Sequence, residues 1–204
     1  MPTKIALASS NKGKINEIKQ ILADYHIVPQ SNFKIPDADE TGLTYIENAI
    51  LKARHCAKYS KLPSLADDSG ISVNCLNGQP GIYSARFAGK NKNSTDNIKK
   101  LVALIKDKST NQLQAQFHCH MALMRHEIDP TPLIVSGIWE GEITLAGSGN
   151  NGFGYDPVFY IPEIGKTAAE IDQKLKNTIS HRAIALAKLK NALIMKPDWL
   201  DELA

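Results

Sequence analysis

Two hydrophobic periods alternate along this chain. Ile5-Ala6-Leu7-Ala8 is a short apolar run that stops at Ser9-Ser10-Asn11, and Ile15, Ile18, Ile21, Leu22 and Tyr25 then recur at helical spacing. Strand, polar turn and helix are predicted in that order. Leu43, Ile46, Ile50, Ala53 and Ala57 predict a second helix. Thr44-Tyr45-Ile46-Glu47 matches a capping box where that periodicity begins, and Asn48 and Lys52, four apart, share one of its faces. Pro63 to Asp67 reads as a buried strand ending in an acidic turn, Asp67-Asp68-Ser69-Gly70, with another strand from Ile71 to Leu76. Ile98, Leu101, Val102 and Ile105 predict a third helix, with Ser94 or Thr95 as its cap.

Gln114 to Arg125 alternates, with Ala115, Phe117, Cys119, Met121 and Leu123 on one side and Gln116, His118 and His120 on the other, which predicts a half-buried strand. Leu133 to Trp139 and Glu142 to Leu145 read as its meander neighbours. A glycine-rich loop, Gly147 to Gly154, leads through Tyr155-Asp156-Pro157 to a strand at Val158 to Ile161, and a last helix runs from about Ser180 to Ile194. Helices and strands in this mixed order indicate an α+β or mixed-sheet α/β fold.

With 204 residues, 43% of them hydrophobic and 22% charged, the chain can bury a real core, and no composition break divides it. One domain spanning residues 1–204 is expected. The longest unbroken apolar runs, Leu101 to Ile105 and Ala183 to Ala187, fall far short of the ~20 residues that span a bilayer, and the apolar stretch ending at Ala8 is too short for a secretory signal. No membrane partner and a cytoplasmic location are expected. Cys56, Cys75 and Cys119 are odd in number and lack a C-x-x-C pair, as reduced thiols would be. A net charge of +3 is mild beside the basic stripes of nucleic-acid binders, but leaves room for a local cationic site.

Three segments carry candidate chemistry. Ser9-Ser10-Asn11-Lys12-Gly13-Lys14, between strand and helix, offers orphan amides and lysines suited to phosphate, although it is not a Walker A loop; taken by itself it reads more readily as an ordinary cap followed by exposed lysines. Glu40-Thr41-Gly42 and Asp67-Asp68-Ser69-Gly70 supply carboxylates of the kind that hold magnesium together with phosphate oxygens, or else simple turns. Asp67 and Asp68 cannot play equal roles if both are extended, because adjacent strand residues point to opposite faces. Lys176 and Ser180-His181-Arg182 put cations at a helix start, against the dipole, which suits an anionic or acceptor-rich ligand. Phe153 either stacks on a base or anchors its loop. His118 and His120 share a strand face but have no third metal ligand by spacing, and Cys119 points the opposite way, into the core.

Taken in order, these blocks resemble the inosine triphosphate pyrophosphatases, also called XTP/dITP diphosphatases. The matching segments are SSNKGK at 9–14, ETGLTYIENAILKA at 40–53, LADDSGI at 65–71, PGIYSAR at 80–86, GFGYDP at 152–157 and SHR at 180–182. The resemblance spans nearly the whole chain. It implies an elongated two-lobed fold around a long mixed central sheet with a cleft between the lobes, a homodimer, and Mg²⁺-dependent hydrolysis of ITP, dITP and XTP to monophosphate and pyrophosphate. Carried over by position, it implies that Ser9, Ser10, Asn11, Lys12, Gly13 and Lys14 hold the triphosphate, with Lys52 a further phosphate contact. Glu40 and Asp68 would bind Mg²⁺, Asp68 would be the general base, and Ser69 would touch substrate. Phe153, Gly154, Tyr155, Asp156, Lys176, His181 and Arg182 would form the base pocket.

The chemistry is consistent with that assignment. Lysines, helix-start amides and Mg²⁺ neutralise charge spreading over phosphate oxygens, a carboxylate activates water, and no covalent nucleophile is needed. Lys176, His181 and Arg182 are donors suited to the 6-carbonyl of inosine or xanthine, where adenine presents a donor of its own. The rival enzyme reading is a Maf-type nucleotide pyrophosphatase acting on other nucleotides. A nucleic-acid-binding module is the rival of another class, and the acidic blocks oppose it because they repel a phosphate backbone.

Overall fold

A computed structural model describes residues 3–89, 93–106, 108 and 113–200. Its strands are β1 (Lys4–Leu7), β2 (His26–Pro29), β3 (Ser64–Val73), β4 (Gln114–Met124), β5 (Leu133–Ile143), β6 (Phe159–Ile161) and β7 (Lys166–Thr167). They form one seven-stranded sheet in the order β2-β1-β3-β4-β5-β6-β7, parallel where β1 meets β2 and β3 and antiparallel where β6 meets β5 and β7. The helices are α1 (Lys12–Ile21), α2 (Tyr45–Ser60), α3 (Ser94–Lys106), α4 (Gln173–Ile179) and α5 (His181–Met195). The expected mixed α/β class is therefore observed. No helix among the described residues is long and apolar enough to cross a membrane.

The chain divides into two compact units, Met1–Asp68 with Cys119–Gly137 and Arg182–Ala204, and Ser69–His118 with Ile138–His181. In the first unit, strand alternation sorts the core into two layers. Ile5, Leu7, Leu65, Cys119, Met121 and Leu123 face one way, against Ile18 and Leu22 from the α1 segment and Leu186 and Leu189 of α5. Their sequence neighbours Ala6, Ala8, Ala66, Ala122 and Met124 face the other way, against Ala49, Ala53 and Cys56 of α2. Small residues on that second side let α2 lie close to the sheet. The second unit packs Ile71, Val73, Phe117, Trp139 and Phe159 against Leu101 and Ile105 of α3.

Three readings of the sequence change. The acidic turn at Asp67 to Gly70 is extended, and residues 64–73 form the single strand β3. The two carboxylates stand in a strand because cations from elsewhere in the chain meet them there. The break expected near Gly141 is likewise absent from β5, and that glycine is where the Phe159 ring crosses the strand; a Cβ there would come within 2.6 Å of Phe159 Cζ and the Tyr160 carbonyl. The cap of α3 is Asn93, whose Oδ1 accepts from Thr95 N and Asp96 N. The last helix stands where the sequence places it, as α5, and ahead of it Asp172 caps an additional short helix, α4, with extended Ser180 dividing the two. The short strands β2 and β7 were not anticipated from periodicity. By contrast, the capping box of α2 forms as read, Thr44 Oγ1 accepting from Glu47 N and Glu47 Oε2 accepting from Thr44 N.

Candidate active site

α1 starts where the sequence placed it. Asn11 is its N-cap and accepts from Lys14 N at 3.0 Å. Ser9 is buried and its Oγ accepts from Asn11 N, while Ser10 Oγ donates to Asp37 Oδ2. The first turn of α1 carries no acidic residue, so the positive end of its dipole is met by none of its own side chains. Lys12 is exposed, Gly13 is half-buried, and Lys14 turns back to β3, where its Nζ lies 2.9 Å from Asp67 Oδ2.

Asp68, the next residue, meets a different set of groups. Lys52 Nζ lies 2.8 Å from Asp68 Oδ1 and 2.9 Å from Glu40 Oε1, so a single ammonium is gripped by both carboxylates. Asn48, one turn before Lys52, donates from Nδ2 to Asp68 Oδ2 and accepts from Gly42 N through Oδ1. Asn48 thereby ties the Glu40-Thr41-Gly42 loop to the strand. Gly42 is required at that close approach, because a Cβ would sit 2.6 Å from Glu47 Cβ and 2.8 Å from Asn48 Oδ1. Burial pushes the Asp68 carboxyl above its usual range; Lys52 and Lys14 offset this only in part, and the charge of Glu40 adds to it. Tyr45 stacks on His120 with ring centroids 5.5 Å apart, and burial holds the His120 imidazole below its ordinary value despite the charge of Asp68.

The opposite face of β3 holds a buried charge cluster. Arg182 is 1% exposed and donates through Nη1 to Glu17 Oε2 and through Nη2 to Asp67 Oδ2. Those two carboxylates keep the guanidinium protonated against its burial. Glu17 was not singled out in the sequence. Its signal was its place in α1 beside buried Ile18 and three residues after Lys14, since a carboxylate on an inward helical face demands a cation.

In the second unit, Phe153, Gly154, Tyr155 and Asp156 form one braced loop. Asp156 Oδ2 accepts from Phe153 N at 2.8 Å and pairs with Lys176 Nζ, which also lies 4.7 Å from the Phe153 ring centroid. Gly152 has φ +72, and a Cβ there would sit 2.0 Å from Asp156 Oδ2. Tyr155 Oη donates to the Ser84 carbonyl, and Ser84 Oγ accepts from Ile71 N, so the PGIYSAR block is the support of this loop and of β3. Phe153 is half-buried, and Ser69 is half-buried in β3. His181, 4% exposed, stacks on Phe117 at 4.7 Å. His118 pairs with Ser72, and Cys119 is buried with its Sγ 4.0 Å from Asp67 Oδ2. Among the described residues no group of three or more His, Cys, Asp or Glu side chains could hold a metal ion.

The Ham1 family model matches residues 5–192. A dITP/XTP pyrophosphatase of Legionella pneumophila (strain Paris) is 55% identical over 190 residues, which cover 93% of this chain and 98% of that one. A solved HAM1 protein from Coxiella burnetii has a TM-score of 0.88 and 48% identity, covering 95% of this chain and 99% of its own. A nucleoside-triphosphatase / dITP/XTP pyrophosphatase crystal structure from Mycobacterium abscessus has a TM-score of 0.71 and 36% identity, over 92% of this chain and 98% of that one. With sequence and fold matched along almost its full length, this chain belongs to the Ham1 family.

Proposed function

We propose that this protein hydrolyses deaminated purine nucleoside triphosphates, ITP, dITP and XTP, to the monophosphate and pyrophosphate. The observation that carries the reading is the single ammonium of Lys52 held by Glu40 and Asp68. Two hard oxygen donors converging on one cation fit Mg²⁺, which takes one or two carboxylates and completes its shell with phosphate oxygens and water. Glu40 and Asp68 are the residues that would hold it, and when bound it would neutralise charge on the phosphate oxygens.

The amides at the start of α1, with Ser9 to Lys14, grip the triphosphate. Lys52 turns from the carboxylates to phosphate. Asp68 orients a water and takes its proton as the water oxygen attacks phosphorus; the bond between the α and β phosphates breaks, and its electron pair leaves with pyrophosphate. Asn48 donates to Asp68 Oδ2 and so holds the carboxylate oriented, which supports Asp68 in this role. Ser69 contacts substrate beside it. The oxo-purine is assigned to Phe153, Gly154, Tyr155 and Asp156 with Lys176 and His181, whose donors match an acceptor at the purine 6 position and oppose adenine's amino group; Arg182, committed to Glu17 and Asp67, serves that pocket by anchoring its neighbour His181 rather than by donating to the base.

The same reading takes the enzyme as a homodimer and as cytoplasmic, the latter in keeping with cysteines that form no disulfide among the described residues. Pyrophosphate release from ITP, XTP, dITP, GTP, ATP and UTP, with and without Mg²⁺, tests it. Release from the first three with Mg²⁺ supports the reading; preference for ATP or for a pyrimidine nucleotide overturns it.

A further inference from the structure

The mechanism leaves Asp67 without a task, yet Asp67 stands where two cations meet. Its Oδ2 accepts from Lys14 Nζ at 2.9 Å and from Arg182 Nη2 at 3.2 Å, and Arg182 gives its other arm to Glu17. Two cations and two carboxylates leave this cluster neutral. The two cations differ in access. The Lys14 side chain is 17% exposed, whereas Arg182, Asp67 and Glu17 are buried to 1–2%. A polyphosphate can therefore reach Lys14 and none of the others, and it must take Lys14 from Asp67 to do so. A buried carboxylate stripped of its cation beside a polyanion is costly. Arg182 remains against Asp67 to meet that charge.

We propose that Asp67 is a positioning residue that holds Lys14 in reserve, with Arg182 taking over the carboxylate's charge when Lys14 turns to the triphosphate, so that this exchange sets affinity for the tail. The inference rests on the phosphate role proposed for Lys14. Asp67→Asn keeps the shape, leaves Arg182 paired with Glu17, and releases Lys14. A polyanion should then bind more tightly, and through Lys14 specifically. Removing a negative charge also strengthens polyanion binding in a general way, so the second half of that statement is the discriminating one.

Calorimetric titration of inorganic tripolyphosphate into the full-length wild type, Asp67→Asn, Lys14→Met and the double variant tests this as a cycle. Asp67→Asn is expected to bind tripolyphosphate about 5- to 10-fold more tightly than wild type, with no such gain in the Lys14→Met background. A merely structural Asp67 would give weaker or unchanged binding, and that result overturns the proposal. So does a gain that persists in the Lys14→Met background. Should Asp67→Asn fail to fold by circular dichroism, Glu17→Gln carries the same test. It commits Arg182 wholly to Asp67 and should tighten binding by roughly 2- to 3-fold, again only with Lys14 present. Wild type that binds tripolyphosphate and releases pyrophosphate from ITP, without a gain in the variants, overturns this inference alone; wild type that does neither overturns the functional reading as well.

Discussion

On one side of β3, Asp68 faces α2 and is met by Lys52, Glu40 and Asn48 within reach of solvent; on the other, Asp67 faces α1 and α5 and is met by Lys14 and by an arginine that is almost completely buried. The first arrangement has a carboxyl raised by burial next to a lysine that can turn elsewhere, which suits chemistry. The second is closed except at Lys14: Arg182 bridges Glu17 and Asp67 and so fastens α1 and α5 to the strand between them. Adjacent residues of one sequence motif thus divide into a working side and a holding side, and strand alternation alone separates them.

The sharpest test removes the working carboxylate. Asp68→Asn is expected to lower kcat for ITP by roughly 10²- to 10⁴-fold while nucleotide binding persists; wild-type turnover in that variant would take Asp68 out of the mechanism. Arg182→Ala attacks the holding side. It strips two buried carboxylates of the guanidinium that bridges them and should cost about 3–5 kcal/mol of stability by urea unfolding. An unchanged midpoint would show that the cluster does not hold the fold.

A smaller effect comes from Asp129, a buried carboxylate in a pair that the proposed chemistry does not use. Burial alone would raise its carboxyl, but hydrogen bonds from the Arg125 side chain and backbone, with Thr131 N and the Arg125 charge, hold it well below the ordinary 3.8. A depressed carboxylate binds its proton more weakly in the folded state. Its stabilisation is therefore complete above the ordinary value and is lost as pH falls below it. Asp129→Asn should flatten the loss of stability between about pH 5 and pH 2, read from urea midpoints, without changing kcat at neutral pH. Identical slopes in the two proteins would contradict this. The smallest effect is expected at the cap of α2, where Thr44→Ala should cost about 1 kcal/mol and lower Tm by about 2–4 °C with turnover intact.

Much of this was legible before any coordinates. The capping box, the shared face of Asn48 and Lys52 and the alternation of Gln114 to Met121 are local patterns, and local patterns survive folding when burial agrees with them; past Met121 the strand is buried on both faces. The stretch at Asp67 to Gly70 was misread as a turn because, within its own few residues, paired acids before a glycine favour one. Its cations arrive from positions 14, 52 and 182. Glu17 was overlooked for a related reason: its partner lies 165 residues further along the chain.

By itself, then, the sequence determined the periods that set helices and strands, where α1 and α2 begin, and six ordered blocks sufficient to place the chain in its family. Which carboxylate meets which cation was decided by tertiary structure alone. A strand sends neighbouring side chains to opposite faces, and the charges waiting on each face belong to helices that only the packed sheet brings there.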